Sequence, residues 1–219
     1  MHLQNKNHQR KQVMRKLITA TEQIIDSEGL DAVTVRKVAQ QSGMNSALIY
    51  NYFDDLNHLI YYTLIRYLKD YNSALAENVK PEDDPRQQII QVFEVFCHYA
   101  FQTNPYVYYT LFFSKYSRHL SEIQWEYYDI FQLDLPLHGN STIDKMIRSE
   151  SVFSRNAVLL EELVTSGEFS GEQAKIINNT ILYVQQSLLY NKLVGVNRDT
   201  VQESTRELMS IIRYLLGMQ

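Results

Sequence analysis

The sequence predicts an all-α fold, with a small N-terminal three-helix domain and a larger helical domain after it. Only 7 glycines and 4 prolines occur in 219 residues, whereas an all-β domain would need turn signals every 8–12 residues or so. Apolar residues recur three and four positions apart along most of the chain, which is the helical period. No internal repeat and no convincing strand pattern interrupts this periodicity.

Composition and charge exclude several classes of protein. Apolar residues make up 45% of the chain and the net charge is only −4, which argues against a disordered chain. Cys97 is the only cysteine, so we expect a small buried residue and neither a disulfide nor a cysteine-based zinc site. The N-terminal segment lacks the apolar region of a signal peptide, and the run Tyr106–Phe113 is far shorter than the roughly 20 residues of a spanning helix. We therefore expect a cytoplasmic protein with no membrane contact, metal or cofactor.

The first 55 residues have the layout of a helix-turn-helix domain. Residues 1–9 are expected to form an unstructured basic arm, and the apolar spacing predicts a helix over Arg10–Glu28. Thr34 is a good N-cap for a second short helix, and Asn45 is one for a third. Between them Gly43 supplies the left-handed backbone of a tight turn, and two short helices joined in this way are typical of the motif.

The charge distribution fits an N-terminal part that meets a polyanion. Residues 1–50 hold 7 basic and 4 acidic groups, which is a net charge of +3. Residues 76–219 hold 12 basic and 18 acidic groups, which is a net charge of −6. A basic end on an acidic body is a mild indication of nucleic-acid binding.

Helical patterns continue through the rest of the chain. Asp55 can cap a long helix over residues 56–75 with one apolar stripe. Proline, glycine and polar segments separate the helices that follow. They are predicted near residues 86–103, 105–117, 120–133, 141–149, 151–166, 172–194 and 199–217.

The stretch from Arg15 to Leu64 resembles the DNA-binding domain of the tetracycline-repressor (TetR) family of bacterial regulators. The residues that carry the resemblance are Ala20, Gly29, Thr34–Ala39, Ser42–Met44, Leu48–Phe53 and Leu59. The remainder agrees only in layout, with helices of family-like length that end in two long ones. The resemblance implies a DNA-binding domain over residues 1–55 and a ligand-binding and dimerisation domain over 56–219. It also implies a homodimer that represses genes until a small ligand binds.

The predicted DNA-binding residues lie at the starts of the second and third helices and just beyond them. A recognition helix brings its first residues to base edges, where Asn can read adenine and Ala can contact a thymine methyl group. The resemblance implies that the aromatic residues and the start of the second helix contact phosphates. For Asn45 alone, a capping role is an equal alternative. The set is Thr34, Arg36, Asn45, Ser46, Ala47, Tyr50, Asn51 and Tyr52.

One position departs from the family. Family members commonly have a lysine near a phosphate three residues after the Phe that corresponds to Phe53, and this chain has Leu56 there. Asp54 and Asp55 precede it, and their carboxylates repel phosphate. The departure predicts weaker and less salt-dependent DNA binding than in relatives that keep the lysine.

Tyrosine is unusually frequent, with 16 in the chain, and 11 of the 30 residues from Tyr99 to Tyr128 are aromatic. Because a buried tyrosine hydroxyl needs a hydrogen-bond partner, packing alone would more readily use Phe or Leu. We therefore predict an effector cavity for a flat apolar or cationic ligand, although ordinary core is the alternative for the Phe residues. The predicted lining residues are Phe96, Tyr99, Tyr108, Tyr109, Phe112, Trp125 and Tyr128.

The last two helices are predicted to form the dimer interface, which the resemblance also implies. Apolar residues step by three and four from Ala174 to Leu188, and Ile176, Tyr183 and Tyr190 lie elsewhere around the same helix. Two apolar stripes suggest two partners, although complete burial within one chain is the alternative. The predicted interface residues are Ile177, Ile181, Val184, Leu188, Leu208, Ile212 and Leu215.

No catalytic motif supports an enzyme: the sequence lacks a P-loop, HExxH, GxSxG and GxGxxG. The stronger rival is a helix-turn-helix protein that no small molecule controls. A closed cavity of ligand size in the C-terminal domain would argue against this rival, and a filled core would favour it. Activation instead of repression also stays open.

Overall fold

The computed structural model of the chain describes residues 2–81, 84–134, 139–196 and 200–218. Every regular element in these ranges is helical, which confirms the all-α prediction. The α-helices are α1 (His2–Glu28), α2 (Val35–Ser42), α3 (Leu56–Leu64), α4 (Arg66–Asn78), α5 (Pro85–Cys97), α6 (Pro105–Phe113), α7 (Leu120–Phe131), α8 (Ser141–Ile147), α9 (Val152–Thr165), α10 (Gly171–Val194) and α11 (Val201–Leu215). Short 3₁₀ segments span Leu30–Ala32, Ser46–Asn51 and Ser117–His119, and a π-helical turn spans His98–Thr103.

The first helix begins earlier than the sequence predicts. We expected residues 1–9 to be unstructured, but the backbone is helical from His2. Residues 2–28 contain neither glycine nor proline, so nothing in them breaks a helix that has formed over Arg10–Glu28. The helix ends at Gly29, as predicted, where the backbone turns to a φ of 87°.

The helix predicted over residues 56–75 is divided into α3 and α4. The backbone N–H of Ile65 donates to the carbonyl of Tyr62, three residues earlier, over 3.3 Å. This tighter bond replaces the α-helical one for a single turn and interrupts the helix. Ile60, Leu64, Leu68 and Leu75 are nevertheless buried, so the predicted stripe holds across the break.

The helices end as their flanking residues indicate. Asn104 caps α6, and Pro105 occupies the first turn, where its missing N–H costs nothing. Ser170 and Thr200 form capping boxes with Gln173 and Glu203 at the starts of α10 and α11. The helix predicted over 105–117 stops at Phe113, and the one over 86–103 gives way to the π-helical turn after Cys97.

Two compact units divide the described chain. The first consists of residues 1–66 and 122–135, and the second of residues 67–121 and 136–219. In the first unit, α1 buries Leu17 and Ile18 completely. In the second, Phe93 and Tyr108 are among the largest buried side chains. The functional boundary between residues 55 and 56 stays a prediction.

Cys97 lies in the core of the second unit, as expected for a small buried residue. Burial raises the pKa of its thiol to about 12, although a hydrogen bond from the Thr205 side chain opposes the shift. The thiol is therefore protonated near neutral pH and is a poor nucleophile. Among the described helices, none is long and apolar enough to cross a membrane.

The Asp55 cap gives a direct test of the local fold. Its Oδ1 accepts the backbone N–H of His58 over 2.9 Å and satisfies one of the first donors of α3. Asp55→Ala is expected to lower the free energy of unfolding by about 1 kcal/mol, measured by urea denaturation. Asp70→Ala is the matched control because Asp70 is an exposed residue in the interior of α4, away from the helix start that Asp55 caps. Equal effects of the two substitutions would contradict the capping role.

Candidate functional site

The helix-turn-helix backbone is held by a small buried core in the first compact unit. Gly43 ends α2 in the left-handed conformation, with a φ of 67°, and the Ser46–Asn51 segment follows. Val38 of α2 and Ile49 of that segment are both completely buried. Leu48, the residue before Ile49, is only half-buried. Ile49 is therefore the residue that fixes the orientation of the segment.

The third helix of the motif is a 3₁₀ segment in this structure instead of the α-helix that the sequence predicts. Asn45 is its N-cap, and its Oδ1 accepts the N–H of Ala47 over 2.9 Å. In the same way the Thr34 hydroxyl caps α2 by accepting the N–H of Lys37 over 3.2 Å. Both side chains thus perform the capping role, which leaves their DNA contacts as predictions.

The other predicted DNA-binding side chains are on the surface. Arg36, Ser46, Ala47 and Asn51 are exposed. Tyr50 is 57% exposed, a large fraction for an aromatic residue, whereas Tyr52 is half-buried. The difference agrees with the expectation that residues two apart on a helical segment do not share a face.

Several basic residues that the sequence offered for DNA contact are engaged within the first unit. Arg10 forms an ion pair with Glu126, and Lys11 Nζ lies 2.6 Å from Asp129 Oδ2. Arg15 Nε donates to the carbonyl of Ile130 over 2.9 Å. These cations stabilise the packing of α1 against α7, so the positive charge at the N-terminus is partly neutralised there.

Tyrosine hydroxyls and carboxylates add to the same α1–α3–α7 packing. The Tyr62 hydroxyl donates to Glu126, and the Tyr127 hydroxyl donates to Glu22 Oε1 over 3.2 Å. Burial raises the pKa of Glu22, and nearby Arg66 and the Tyr127 hydrogen bond partly offset the increase. Tyr62 and Tyr127 therefore act as structural hydrogen-bond donors in this unit.

Five of the seven predicted ligand-binding residues lie in the second unit, where most are packed against one another. The ring centroid of Tyr71 lies 5.8 Å from that of Tyr99, 5.7 Å from that of Tyr108 and 6.1 Å from that of Phe112. Phe96 lies 6.2 Å from Phe112. This arrangement is a filled aromatic cluster, and we call Tyr71, Tyr99, Tyr108, Phe96 and Phe112 the aromatic cluster below.

Three of the seven predicted ligand-binding residues, Tyr109, Trp125 and Tyr128, lie outside the aromatic cluster. Tyr109 is half-buried beside Tyr190, with 6.1 Å between the ring centroids. Trp125 and Tyr128 belong to the first compact unit, where Trp125 is 46% exposed and Tyr128 is buried. The structure therefore does not place all seven in one cluster.

A buried arginine beside the aromatic cluster was missed by the sequence reasoning. Arg155 of α9 is 2% exposed, and its Nη2 donates to Asn72 Oδ1 over 3.0 Å. Its Nη1 donates to the carbonyl of Ile147 over 3.3 Å. A signal was present, because Arg155 falls between Val152 and Leu159 on the apolar stripe of α9.

A groove of about 510 Å³ runs between α4 and α5 in the second unit. Glu77, Glu94, His98 and Tyr99 are among the residues that line it. Burial and the nearby carboxylates of Asp70 and Glu77 raise the pKa of the Tyr99 hydroxyl. The groove therefore has a negative potential. Acidic side chains line it together with Tyr99, which belongs to the aromatic cluster.

Most of the residues predicted for the dimer interface are buried, and the interface itself stays a prediction. Five of the seven predicted residues, Ile177, Ile181, Leu188, Leu208 and Ile212, are buried within the chain itself. Their side chains are part of the core of the second unit, whereas Val184 and Leu215 are half-buried. The exposed apolar residues of the same helices are Ile176, Tyr183, Tyr190 and Tyr214. The second apolar stripe of α10, formed by Ile176, Tyr183 and Tyr190, is therefore the exposed one.

These features define a helix-turn-helix protein with an all-helical companion domain. Residues 17–60 match the family model of bacterial regulatory proteins of the tetR family. The HTH-type transcriptional regulator BetI of Stenotrophomonas maltophilia (strain R551-3) is 33% identical over 75 residues, which are 34% of this chain and only 38% of that relative. The family model covers residues 17–60 alone, so it is this segment that is similar to the DNA-binding domain of tetR-family regulators.

Solved structures agree with the fold over nearly the whole chain. RolR in complex with resorcinol has a TM-score of 0.62 and 14% identity, and the match covers 96% of this chain and 90% of RolR. Thermus thermophilus FadR, a TetR family repressor in complex with lauroyl-CoA, has a TM-score of 0.61 and 12% identity, with 94% and 95% covered. At this identity the likenesses establish the fold alone.

Proposed function

We propose that this protein is a cytoplasmic homodimeric repressor that a small aromatic, apolar or cationic ligand releases from its operator. The single observation that carries the proposal is the exposed surface formed by Arg36, Ser46, Tyr50 and Asn51 on a TetR-type helix-turn-helix. Short polar side chains near base edges, flanked by donors for phosphates, have the composition of a major-groove reader.

Effector control is supported by the second unit and by its relatives. RolR was solved with resorcinol and FadR with lauroyl-CoA, so similar folds bind small molecules. The acidic groove suits a cationic ligand, and the aromatic cluster could take a flat apolar one only if its rings separated. These two features are what this chain itself offers in support of a ligand.

The proposed mechanism depends on the spacing of two recognition segments. In a dimer the two segments must lie about one turn of the DNA helix apart, about 34–36 Å or slightly more. At that distance they can enter successive major grooves. The α3–α4 segment is one of the places where the chain passes between the two units, and it follows the helix-turn-helix directly. A ligand that binds the non-DNA form more tightly shifts the protein toward that form, by no more than its differential affinity.

The alternative is a helix-turn-helix regulator that no small molecule controls. The close ring contacts in the aromatic cluster favour it, because they describe a filled core. Release of bound operator distinguishes the two functions. Fluorescence anisotropy of labelled operator, titrated with aromatic, apolar and cationic compounds, should show release by one class if the proposal is right. Retention in every titration would support the alternative.

Leu56 provides a separate test of the DNA face. It is the first residue of α3, beside the Asp55 cap, and it is only half-buried, so a longer side chain can extend into solvent. Leu56→Lys is expected to tighten operator binding and to steepen its salt dependence by nearly one unit, since one phosphate contact is added. Leu56→Met is the matched control without charge. Unchanged affinity of the lysine variant at low salt would rule out a phosphate beside this position.

A further inference from the structure

A second groove, of about 400 Å³, lies between α9 and α10 in the second unit. Its apolar wall is aliphatic: Ala157, Leu160 and Val164 step by three and four along α9, and Ala174 contributes from α10. This spacing places the three α9 residues along one side of that helix. The lining contains no aromatic ring among the described residues, so the groove suits a hydrocarbon chain better than a flat ring.

Small residues keep the two helices from filling the space between them. Ala157 is exposed although it lies in the middle of α9. Gly171 begins α10, and a Cβ atom added there would meet no described atom within 4 Å. Ala174 is buried, but its side chain is a single methyl group. The volume that remains is within the range of small-molecule sites, about 300–1,000 Å³.

One lining residue of this groove has a buried acceptor that is not used. Asn178 is only 7% exposed, and its Nδ2 donates to the backbone carbonyl of Phe153 over 2.9 Å. That bond determines which end of the amide is the nitrogen. The Oδ1 atom at the other end has no hydrogen-bond partner among the described residues. Because a buried acceptor without a donor is costly, a donor that enters from the groove would stabilise this side chain.

The charges at the rim favour a neutral ligand. Glu161 lines the groove and forms an ion pair with Lys145, and the exposed Lys175 adds a positive charge. The rim therefore has no excess of negative charge that would attract a cation. A carboxylate is unsuitable as well, because it brings no proton to the Asn178 oxygen. A hydroxyl group is neutral and can donate.

We infer that this groove binds a neutral aliphatic alcohol, whose hydroxyl group donates to Asn178 Oδ1 and whose chain contacts Leu160, Val164 and Ala174. The oxygen is shielded from solvent in this state, so the side chains at that end of the groove must shift apart to admit the hydroxyl. Asn178 lies two residues from Ile176, about 200° around α10, so the site is separate from the exposed stripe. It is also separate from the aromatic cluster, and it does not depend on the proposed function.

The test compares two isomers that differ in one donor. The full-length protein with isotope-labelled alanine methyl groups is titrated with 1-hexanol and with methyl pentyl ether, which accepts hydrogen bonds but cannot donate them. The alcohol is expected to shift the methyl resonances of Ala157 and Ala174 in a saturable way. The ether should need about fivefold higher concentration, which is the effect of one hydrogen bond. If the two isomers titrate alike, or if neither shifts these resonances, the inference is wrong.

The charge of the ligand is tested with hexylamine, which is a cation at neutral pH. It is expected to bind less tightly than 1-hexanol, because the rim offers it no excess of negative charge. Tighter binding of the amine would show that the site is not one for neutral ligands.

Two variants separate the acceptor from the space. Asn178→Leu removes the acceptor at similar size, so the alcohol and the ether are expected to bind equally. Ala157→Leu fills the groove from an exposed position and should raise the alcohol midpoint at Ala174 at least about tenfold. Ala76→Leu, the same change on α4, is the matched control that keeps the response. If circular dichroism shows that Asn178→Leu does not fold, Ala157→Leu decides. Discrimination that persists in Asn178→Leu, or unchanged alcohol binding in Ala157→Leu, would overturn the inference.

Discussion

Replacing Tyr183 with glutamate is expected to convert the proposed dimer into monomers and to weaken operator binding by about 100-fold or more, because a monomer loses the benefit of two linked half-site contacts. Tyr183 is 60% exposed and lies seven residues from both Ile176 and Tyr190, so the three follow one side of α10. A soluble surface rarely shows an apolar stripe of this length unless a partner covers it.

Symmetry makes the effect large. In a twofold dimer every interface residue occurs twice, so a single substitution places two carboxylates in the contact. Tyr214 of α11, the helix that packs against α10, is 83% exposed and is a further exposed aromatic side chain of this helix pair. A buried carboxylate without a cationic partner is costly, and separation of the subunits returns it to water.

Tyr106→Glu is the matched control, because Tyr106 is an exposed tyrosine of α6, which contributes none of the stripe residues. Light scattering coupled to size exclusion gives the mass directly. We expect a dimer for the wild-type protein and for Tyr106→Glu, and a monomer for Tyr183→Glu. A Tyr183→Glu protein that remains a dimer would show that this stripe is not the interface.

Reversing the charge of Arg36 is expected to weaken operator binding by about two orders of magnitude at low salt and to lower the salt slope by one to two units, since a phosphate contact is replaced by repulsion. Arg36 follows the first residue of α2, next to the Thr34 cap, and is exposed. Phosphates are favoured at helix N-termini, where backbone N–H groups also point outward.

The control is Arg118→Glu, which makes the same charge change at an exposed arginine of the second unit. Anisotropy titrations at several salt concentrations give both the affinity and the slope. A uniform loss in both variants would indicate a general effect of net charge. A normal salt slope in Arg36→Glu would mean that Arg36 contacts no phosphate.

Local signals in the sequence predicted much of this fold. Thr34, Asn45 and Asp55 were expected to cap helices and do so, because a short oxygen-bearing side chain satisfies a free N–H within three residues of itself. The break at Ile65 has no such signal. The break consists of one hydrogen bond between residues three apart, from Ile65 to Tyr62. Ile65 is an ordinary apolar residue and gives no sign of it in the sequence.

Contacts between distant segments were beyond the sequence. The basic residues near the N-terminus were only a mild indication of nucleic-acid binding, and in the structure Arg10 and Lys11 pair with acidic residues of α7 more than a hundred positions away. Both apolar stripes of α10 could be found in the sequence, but both have the same helical spacing, so spacing alone could not tell which one is buried. Only the folded chain distinguishes the stripe that its own core covers from the one that stays exposed.

The central claim is that the chain is a dimeric, sequence-specific DNA-binding protein, and selection of bound duplexes from random DNA tests it most directly. Wild-type protein should enrich an inverted repeat whose half-site centres are one helical turn or slightly more apart, about 10 base pairs or a few more. Arg36→Glu, selected in parallel, should enrich far less. Failure of the wild-type protein to enrich any sequence, or enrichment of a single unrepeated site, would contradict the account.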